Sequence, residues 1–237
     1  MRYGPAMAQK QVDLPNPDRV HRILAGWAAV HAAVFSLPDL ECAFTVETDR
    51  VTYHDGGGSY FRFVRLPEGR AAIFGFDRDC PDDVEGDRRV LQDHGAEGWW
   101  LEPAAADDIL NFAYGYDRGR WSAVGHDPIR VAPMMLAPGS SQESSSALST
   151  LADFLEEASG DLLGAAVRGD DLALETLLAA GPDMDEAVLR TAMVGDYEYL
   201  SDGLAAAALF AADPGALTST NCAEPGEQPV PSENSLG

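Results

Sequence analysis

Acidic side chains are concentrated between residues 77 and 87, in the segment DRDCPDDVEGD. Calcium takes about six to eight oxygen ligands from a flexible loop, and this segment can supply several carboxylates. The candidate ligands are Asp77, Asp79, Asp82, Asp83, Glu85 and Asp87. The EF-hand pattern is not matched, because Pro81 occupies the third ligand position. Two other interpretations stay open: a solvated connection whose charges prevent edge aggregation, and a docking segment for a basic partner.

A cluster of aromatic and arginine side chains is the second candidate site. Its members are Trp99, Trp100, Tyr114, Tyr116, Trp121, Arg118 and Arg120. These residue types are enriched at the energetic centres of protein interfaces, so the cluster predicts a partner-binding surface. The alternative is that the rings fill the core of a small sheet domain. If either Trp99 or Trp100 is buried, its neighbour is expected to be partly exposed.

No complete catalytic or metal-binding motif accompanies these residues. The chain lacks the G-x-S-x-G, H-E-x-x-H and G-x-x-x-x-G-K-[ST] patterns. The glycines of HDGGGSY (54–60) precede a strand, which indicates a hairpin turn. His21 and His31 lie ten residues apart without an acid or cysteine at ligand spacing. We therefore expect no cofactor and no catalytic residue.

The net charge of the chain favours some classes of binding partner and disfavours others. The chain has 39 Asp and Glu against 16 Lys and Arg, a formal net charge of −23. Such a surface repels nucleic acid and anionic lipid and favours a basic protein partner. No apolar run approaches the length of a membrane span. Three widely spaced cysteines, Cys42, Cys80 and Cys222, suit a reducing compartment, so a cytoplasmic location is expected.

Short elements with clear end signals are expected to position the candidate residues. Asn16 and Pro17 predict the start of a helix whose apolar residues, from Val20 to Phe35, recur at helical spacing. Alternating segments between residues 42 and 76 predict an antiparallel meander of about four strands, and residues 112–124 predict a last hairpin. The fold class is therefore α+β, with the N-terminal helix packed on an antiparallel sheet.

Composition predicts further divisions of the chain. Residues 1–14 read as a flexible N-terminus, with Met1 or Met7 as the start, and 15–132 as the α+β domain. A Ser-, Gly- and Pro-rich linker (133–147) follows, then an acidic helical domain (148–212) and a disordered tail (213–237). The helical part holds 13 acids and two arginines, a balance of −11. A weak repeat of 26 residues predicts helical hairpins, each interrupted at Gly-Asp.

Two resemblances accompany these patterns. The segments YFRFVRLPEGRAAIFGFDRD (60–79) and FAYGYDRGRW (112–121) resemble a set of uncharacterised proteins from high-GC actinomycetes, over roughly residues 20–125. That resemblance implies no activity, although small acidic α+β proteins of this style are similar to immunity proteins that neutralise toxins. The segment AAVRGDDLALETLLAAG (165–181) resembles the two helices of an ankyrin repeat.

Three hypotheses follow for the function. The leading one is a non-enzymatic interaction module, of immunity or regulatory type, that binds a basic protein partner. The second is a divalent-cation-dependent enzyme or small-ligand protein that uses the carboxylates of residues 77–87. The third is a nucleic-acid mimic, whose carboxylates are spaced like phosphates.

Overall fold

The fold is known from a computed structural model of the chain. It describes residues 9–12, 14–36, 44–47, 49–54, 58–78, 88–105, 108–125, 171–193 and 197–211. The predicted linker 133–147 and the predicted tail 213–237 lie outside these residues, as do Cys42, Cys80 and Cys222. The α+β class and the antiparallel sheet are confirmed.

Helix α1 (Pro17–Phe35) begins where its capping residues predict. The side chain of Asn16 accepts a hydrogen bond of 2.9 Å from the backbone N–H of Arg19, and Pro17 occupies the first helical position. These two residues supply an acceptor for a free N–H group and a preset φ angle, which together favour helix initiation. The helix ends at Phe35, and Ser36 follows with a positive φ of 92°.

Within the described residues, seven antiparallel strands form one sheet in the order β1-β7-β6-β5-β4-β3-β2. Their bounds are Lys10–Val12 (β1), Phe44–Val46 (β2), Arg50–His54 (β3), Tyr60–Arg65 (β4), Ala71–Phe76 (β5), Phe112–Asp117 (β6) and Arg120–Gly125 (β7). Strands β2 to β5 form the predicted meander and β6 and β7 the predicted last hairpin, and pairing of β5 with β6 joins the two into one sheet. The β2–β3, β4–β5 and β6–β7 turns consequently lie together at one end of the sheet, here called the turn end.

Strand β1 departs from the prediction of a flexible N-terminus over residues 1–14. Lys10, Gln11 and Val12 pair with Ala123, Ser122 and Trp121 of β7 and so extend the sheet. The segment is too short and too polar to show strand periodicity by itself. Its conformation comes from backbone hydrogen bonding to an edge that residues more than 100 positions away provide.

Among the described residues, three C-terminal helices pack together next to α1. They are α4 (Asp171–Ala180), α5 (Glu186–Ala192) and α6 (Leu200–Leu209). One hydrophobic cluster contains residues of the inner sheet face, of α1 and of these helices, among them Phe63, Ile23, Leu177, Leu189 and Phe210. The described part of the predicted 148–212 domain therefore shares a core with the predicted 15–132 domain.

Two further helices, α2 (Arg88–Asp93) and α3 (Gly98–Leu101), cover the outer sheet face. Leu91, Trp100 and Leu101 pack there against Phe74 and Val124 in a second, smaller hydrophobic cluster. In the part of the chain that the structure describes, α1 and the C-terminal helices thus lie on one face of the sheet, and α2 with α3 on the other. None of the described helices combines the length and apolarity that a membrane crossing requires.

Candidate functional site

Only the first two residues of the predicted cation-binding segment, Asp77 and Arg78, are described. Asp77 is buried at the end of β5, while Asp79, Asp82, Asp83, Glu85 and Asp87 lie outside the described residues. The backbone N–H of Asp77 donates to Oδ1 of Asn111 at 2.9 Å, and its carbonyl accepts from Nδ2 of the same residue at 2.8 Å. Among the described residues, no three His, Cys, Asp or Glu side chains are arranged to hold a metal ion.

Three members of the predicted aromatic cluster are buried in the hydrophobic core. Trp121 lies on the inner face, and its Nε1–H donates to the carbonyl of Pro15 at 2.7 Å. Tyr114, on the same face, packs edge-on against Phe112. Trp100 lies on the outer face against Gly115. These three side chains fill the core and present almost no surface to a partner.

The other four members, Trp99, Tyr116, Arg118 and Arg120, reach the surface. The Trp99 side chain is partly exposed and lies edge-on to the buried ring of Trp100, with 6.0 Å between ring centroids. The expectation that one of these neighbouring tryptophans is buried and the other partly exposed is therefore confirmed. In helix α3 the side chain of Trp100 points to the core and that of Trp99 points outward, because successive helical residues point about 100° apart.

Charged groups surround the exposed ring of Trp99. Its Nε1–H donates to Oε2 of Glu97 at 2.8 Å, and the Arg70 guanidinium carbon lies 5.2 Å from the ring centroid, within the range of a cation–π contact. Glu68 is 3.6 Å from the Arg70 guanidinium. We call this set of four residues, Trp99, Arg70, Glu68 and Glu97, the Trp99 surface.

The Trp99 surface adjoins the turn end of the sheet. Glu68 and Arg70 belong to the β4–β5 connection, and β5 pairs with β6 so that Ala71 is opposite Tyr116. Arg118, in the tight β6–β7 turn, has a positive φ of 51° and a side chain that is 84% exposed. Exposed charged residues in left-handed backbone conformations thus occur in two adjacent turns, at Glu68 and at Arg118.

Ion-pair and hydrogen-bond contacts from three arginines fix the loop that follows α3. The guanidinium of Arg62 forms an ion pair with Asp108, whose Oδ2 also accepts from the N–H of Ala105 at 2.7 Å. Arg50 and Arg88 donate to the carbonyls of Pro103 and Ala104 at 3.5 and 3.4 Å. The sequence contained no signal for this arrangement, because an arginine on β4 and an acid 46 positions later carry no local pattern.

Replacing Asp108 with Ala is expected to destabilise the protein by about 2–4 kcal/mol. The substitution leaves the Arg62 guanidinium, whose side chain is only 20% exposed, without its carboxylate, and it removes the side-chain acceptor of the exposed N–H of Ala105. The matched control is Asp117→Ala, which removes the ion pair with the exposed Arg118 and should cost about 0–1 kcal/mol. Urea unfolding of both variants measures the difference, and equal costs would contradict the assigned role of Asp108.

Comparisons of the chain with protein-family models, with curated proteins and with solved structures find no match. The candidate site therefore rests on the geometry of the chain itself.

Proposed function

We propose that the protein is a non-enzymatic interaction module that binds a basic protein partner through the Trp99 surface. The observation that carries this proposal is the partly exposed ring of Trp99 with a guanidinium 5.2 Å from its centroid and carboxylates of Glu68 and Glu97 around it. An exposed aromatic ring next to an arginine is the composition typical of an interface centre.

The local chemistry favours a cationic side chain of the partner. The ring of Trp99 and the carboxylate of Glu68 already bind one guanidinium, that of Arg70. A partner arginine or lysine binds here by pairing with the carboxylate of Glu97 and by replacing Arg70 at the ring and at Glu68. The net charge of −23 acts at longer range, where it accelerates encounter with a basic protein and disfavours acidic ones.

Trp99 belongs to helix α3, which is fixed to the sheet by buried side chains. Trp100 and Leu101, the next two residues of α3, are buried against the sheet. The backbone N–H of Trp100 also donates to the carbonyl of Glu97 at 2.9 Å. Such support keeps the ordering cost of binding low, because the contact residue is already oriented in the free protein. This supports an immunity-type or regulatory role, in which a partner is recognised without being chemically altered.

Substitution of Trp99 by Ala is expected to weaken capture of the partner at least about tenfold, which corresponds to about 1.4 kcal/mol. The tagged protein is incubated with native lysate at low and moderate salt, and captured proteins are quantified by mass spectrometry. A genuine partner is basic, depends on Trp99, and is captured less at the higher salt concentration.

The matched control is Tyr199→Ala, which removes another exposed aromatic side chain at the start of α6, on the opposite side of the molecule. This variant should capture the partner as the unmodified protein does. The proposal is wrong if both variants capture the same proteins equally, or if no basic, salt-sensitive protein is captured at all.

A further inference from the structure

The imidazole of His21 lies where three layers of the molecule meet. On one side its ring centroid is 6.5 Å from that of Phe63, which belongs to β4 on the inner sheet face. On the other side it is 5.3 Å from the ring of Phe210, which follows the last residue of α6, and the two rings meet edge-on. His21 itself is in the second turn of α1. A single titratable ring therefore connects α1, the sheet and the end of the C-terminal helix.

Charges around His21 oppose its protonation more than they favour it. Arg22 is its neighbour on α1, and Arg65 follows Phe63 on the same strand face. Asp18 favours the charged imidazole, but its carboxylate is 3.4 Å from the Arg65 guanidinium. The adjoining cleft is lined by Glu47 and Asp49 of the β2–β3 connection and by Arg50 at the start of β3, with Glu47 3.9 Å from Nε of Arg50.

Helix α6 contributes one further electrostatic influence. Its carboxyl end lies at Phe210 and carries the negative end of the helix dipole, which favours a cation. Its charged residue Asp202 is in the first turn, at the other end of the helix. Burial outweighs these favourable contributions and, together with Arg65 and Arg22, lowers the pKa of His21 from 6.5 to about 4.

We propose that His21 is a pH-sensitive latch, whose neutral ring holds the Phe210 end of α6 against α1 and the sheet and whose protonation releases it. Protonation is disfavoured where the half-buried imidazole lies near two phenylalanine rings and two guanidinium groups, because the charged ring loses part of its hydration there. Opening of the Phe210 end exposes the ring to water and removes this cost.

The direction of the pH effect follows from linkage. The pKa of His21 is lower in the latched state than in the open one, so the latched state gains its full advantage above about pH 6.5 and loses it as the pH falls towards 4. At pH 5 the latching equilibrium should be about tenfold less favourable than at pH 7.5, allowing for the partial exposure of the ring. The latch therefore responds to mild acidification.

The test combines nuclear magnetic resonance with hydrogen exchange on the full chain. The imidazole of His21 should titrate well below the ordinary value of 6.5. Amide protection in residues 200–211, corrected for intrinsic exchange, should fall about tenfold between pH 7.5 and pH 5. Protection in residues 98–105, on the outer face of the sheet, should change much less and provides the internal control.

Two variants separate the latch from general acid destabilisation. His21→Phe keeps an aromatic ring between Phe63 and Phe210 but cannot be protonated, and His21→Gln provides a second uncharged side chain. In both variants, residues 200–211 should lose no more amide protection between pH 7.5 and pH 5 than residues 98–105 do. The latch is overturned if His21 titrates at or above pH 6.5, or if the variants lose protection in this segment as the unmodified chain does.

Discussion

Replacement of Gly115 by Ala is expected to destabilise the protein by about 3 kcal/mol. A Cβ atom on Gly115 would lie 2.2 Å from the Cε2 and Nε1 atoms of Trp100. The indole lies directly over the backbone of β6, and it is fully buried, so it has little room to move. The expected measurement is a lower urea midpoint with an unchanged denaturant dependence.

Gly98→Ala is the matched control for this substitution. Gly98 is in the same region, at the start of α3, and no atom lies within 4 Å of its added Cβ. Its replacement should be neutral or stabilise by up to about 1 kcal/mol, because alanine is the better helix former. Similar costs at both positions would contradict the close packing of Trp100 on Gly115.

Gly115→Ala should also change the position of Trp99 in the Trp99 surface. Trp99 and Trp100 are adjacent in a helix of four residues, so displacement of one ring moves the other. Combining Gly115→Ala with Trp100→Leu should cost less than the sum of the two single changes, because the shorter side chain no longer meets the new methyl group. Strict additivity would show that the two residues are not in contact.

Replacement of Gly203 by Leu is expected to cost about 3–5 kcal/mol and to separate α6 from α1. Even a single Cβ on Gly203 would lie 2.6 Å from the carbonyl oxygen of Ala29 and 2.9 Å from both the Cβ of Ala33 and a methyl group of Leu189. The backbones of α1 and α6 approach this closely only because no side chain separates them at this point. Thermal unfolding followed by circular dichroism measures the loss.

The control for Gly203→Leu is Ala205→Leu, at an exposed position of the same helix. That change should alter stability by no more than about 0.5 kcal/mol. Because α6, α1 and the inner sheet face share one hydrophobic cluster, Gly203→Leu should lower the stability of the whole described core in one transition. A normal melting temperature for the sheet with only α6 lost would show that the C-terminal helices fold independently.

Much of the fold was predictable because its signals are local. The start of α1 follows from Asn16 and Pro17, whose effects depend on the next two or three residues. The β4–β5 turn follows from Pro67-Glu68-Gly69, in which the glycine has a φ of 70°. Alternation along β6 places Phe112 and Tyr114 on one face of the sheet and Ala113 on the other, as expected for a strand of the predicted hairpin.

Burial of individual aromatic side chains was not predictable to the same degree. Trp99 and Trp100 are adjacent in the sequence, yet Trp100 is buried and Trp99 reaches the surface, while Trp121 in β7 is buried as well. The difference arises from partners on other elements: Gly115 beneath Trp100, the carbonyl of Pro15 beside Trp121, and Arg70 over Trp99. The candidate binding surface is therefore a smaller set than the predicted cluster.

Helix α1 shows which part of its burial local sequence predicts and which part depends on other elements. Its sequence determined one broad apolar face with Ile23, Leu24 and Trp27, and this face was predicted from helical spacing. Only the tertiary structure decided that the alanine face is buried too, because α6 packs against Ala29 and Ala33 through Gly203. Alanine and glycine carry little hydrophobic signal, and their role is to permit close approach of a second helix.

The sequence by itself thus determined strands β2 to β7, the turns between paired strands, the first helix and the net charge of −23. Tertiary structure alone decided which rings are exposed, that Arg62 meets Asp108, and that the C-terminal helices cover α1. The hydrogen bond from Arg22 to the carbonyl of Ala179, 157 residues later, illustrates the reason. Turns and caps depend on neighbouring residues, whereas burial depends on contacts between residues that only folding brings together.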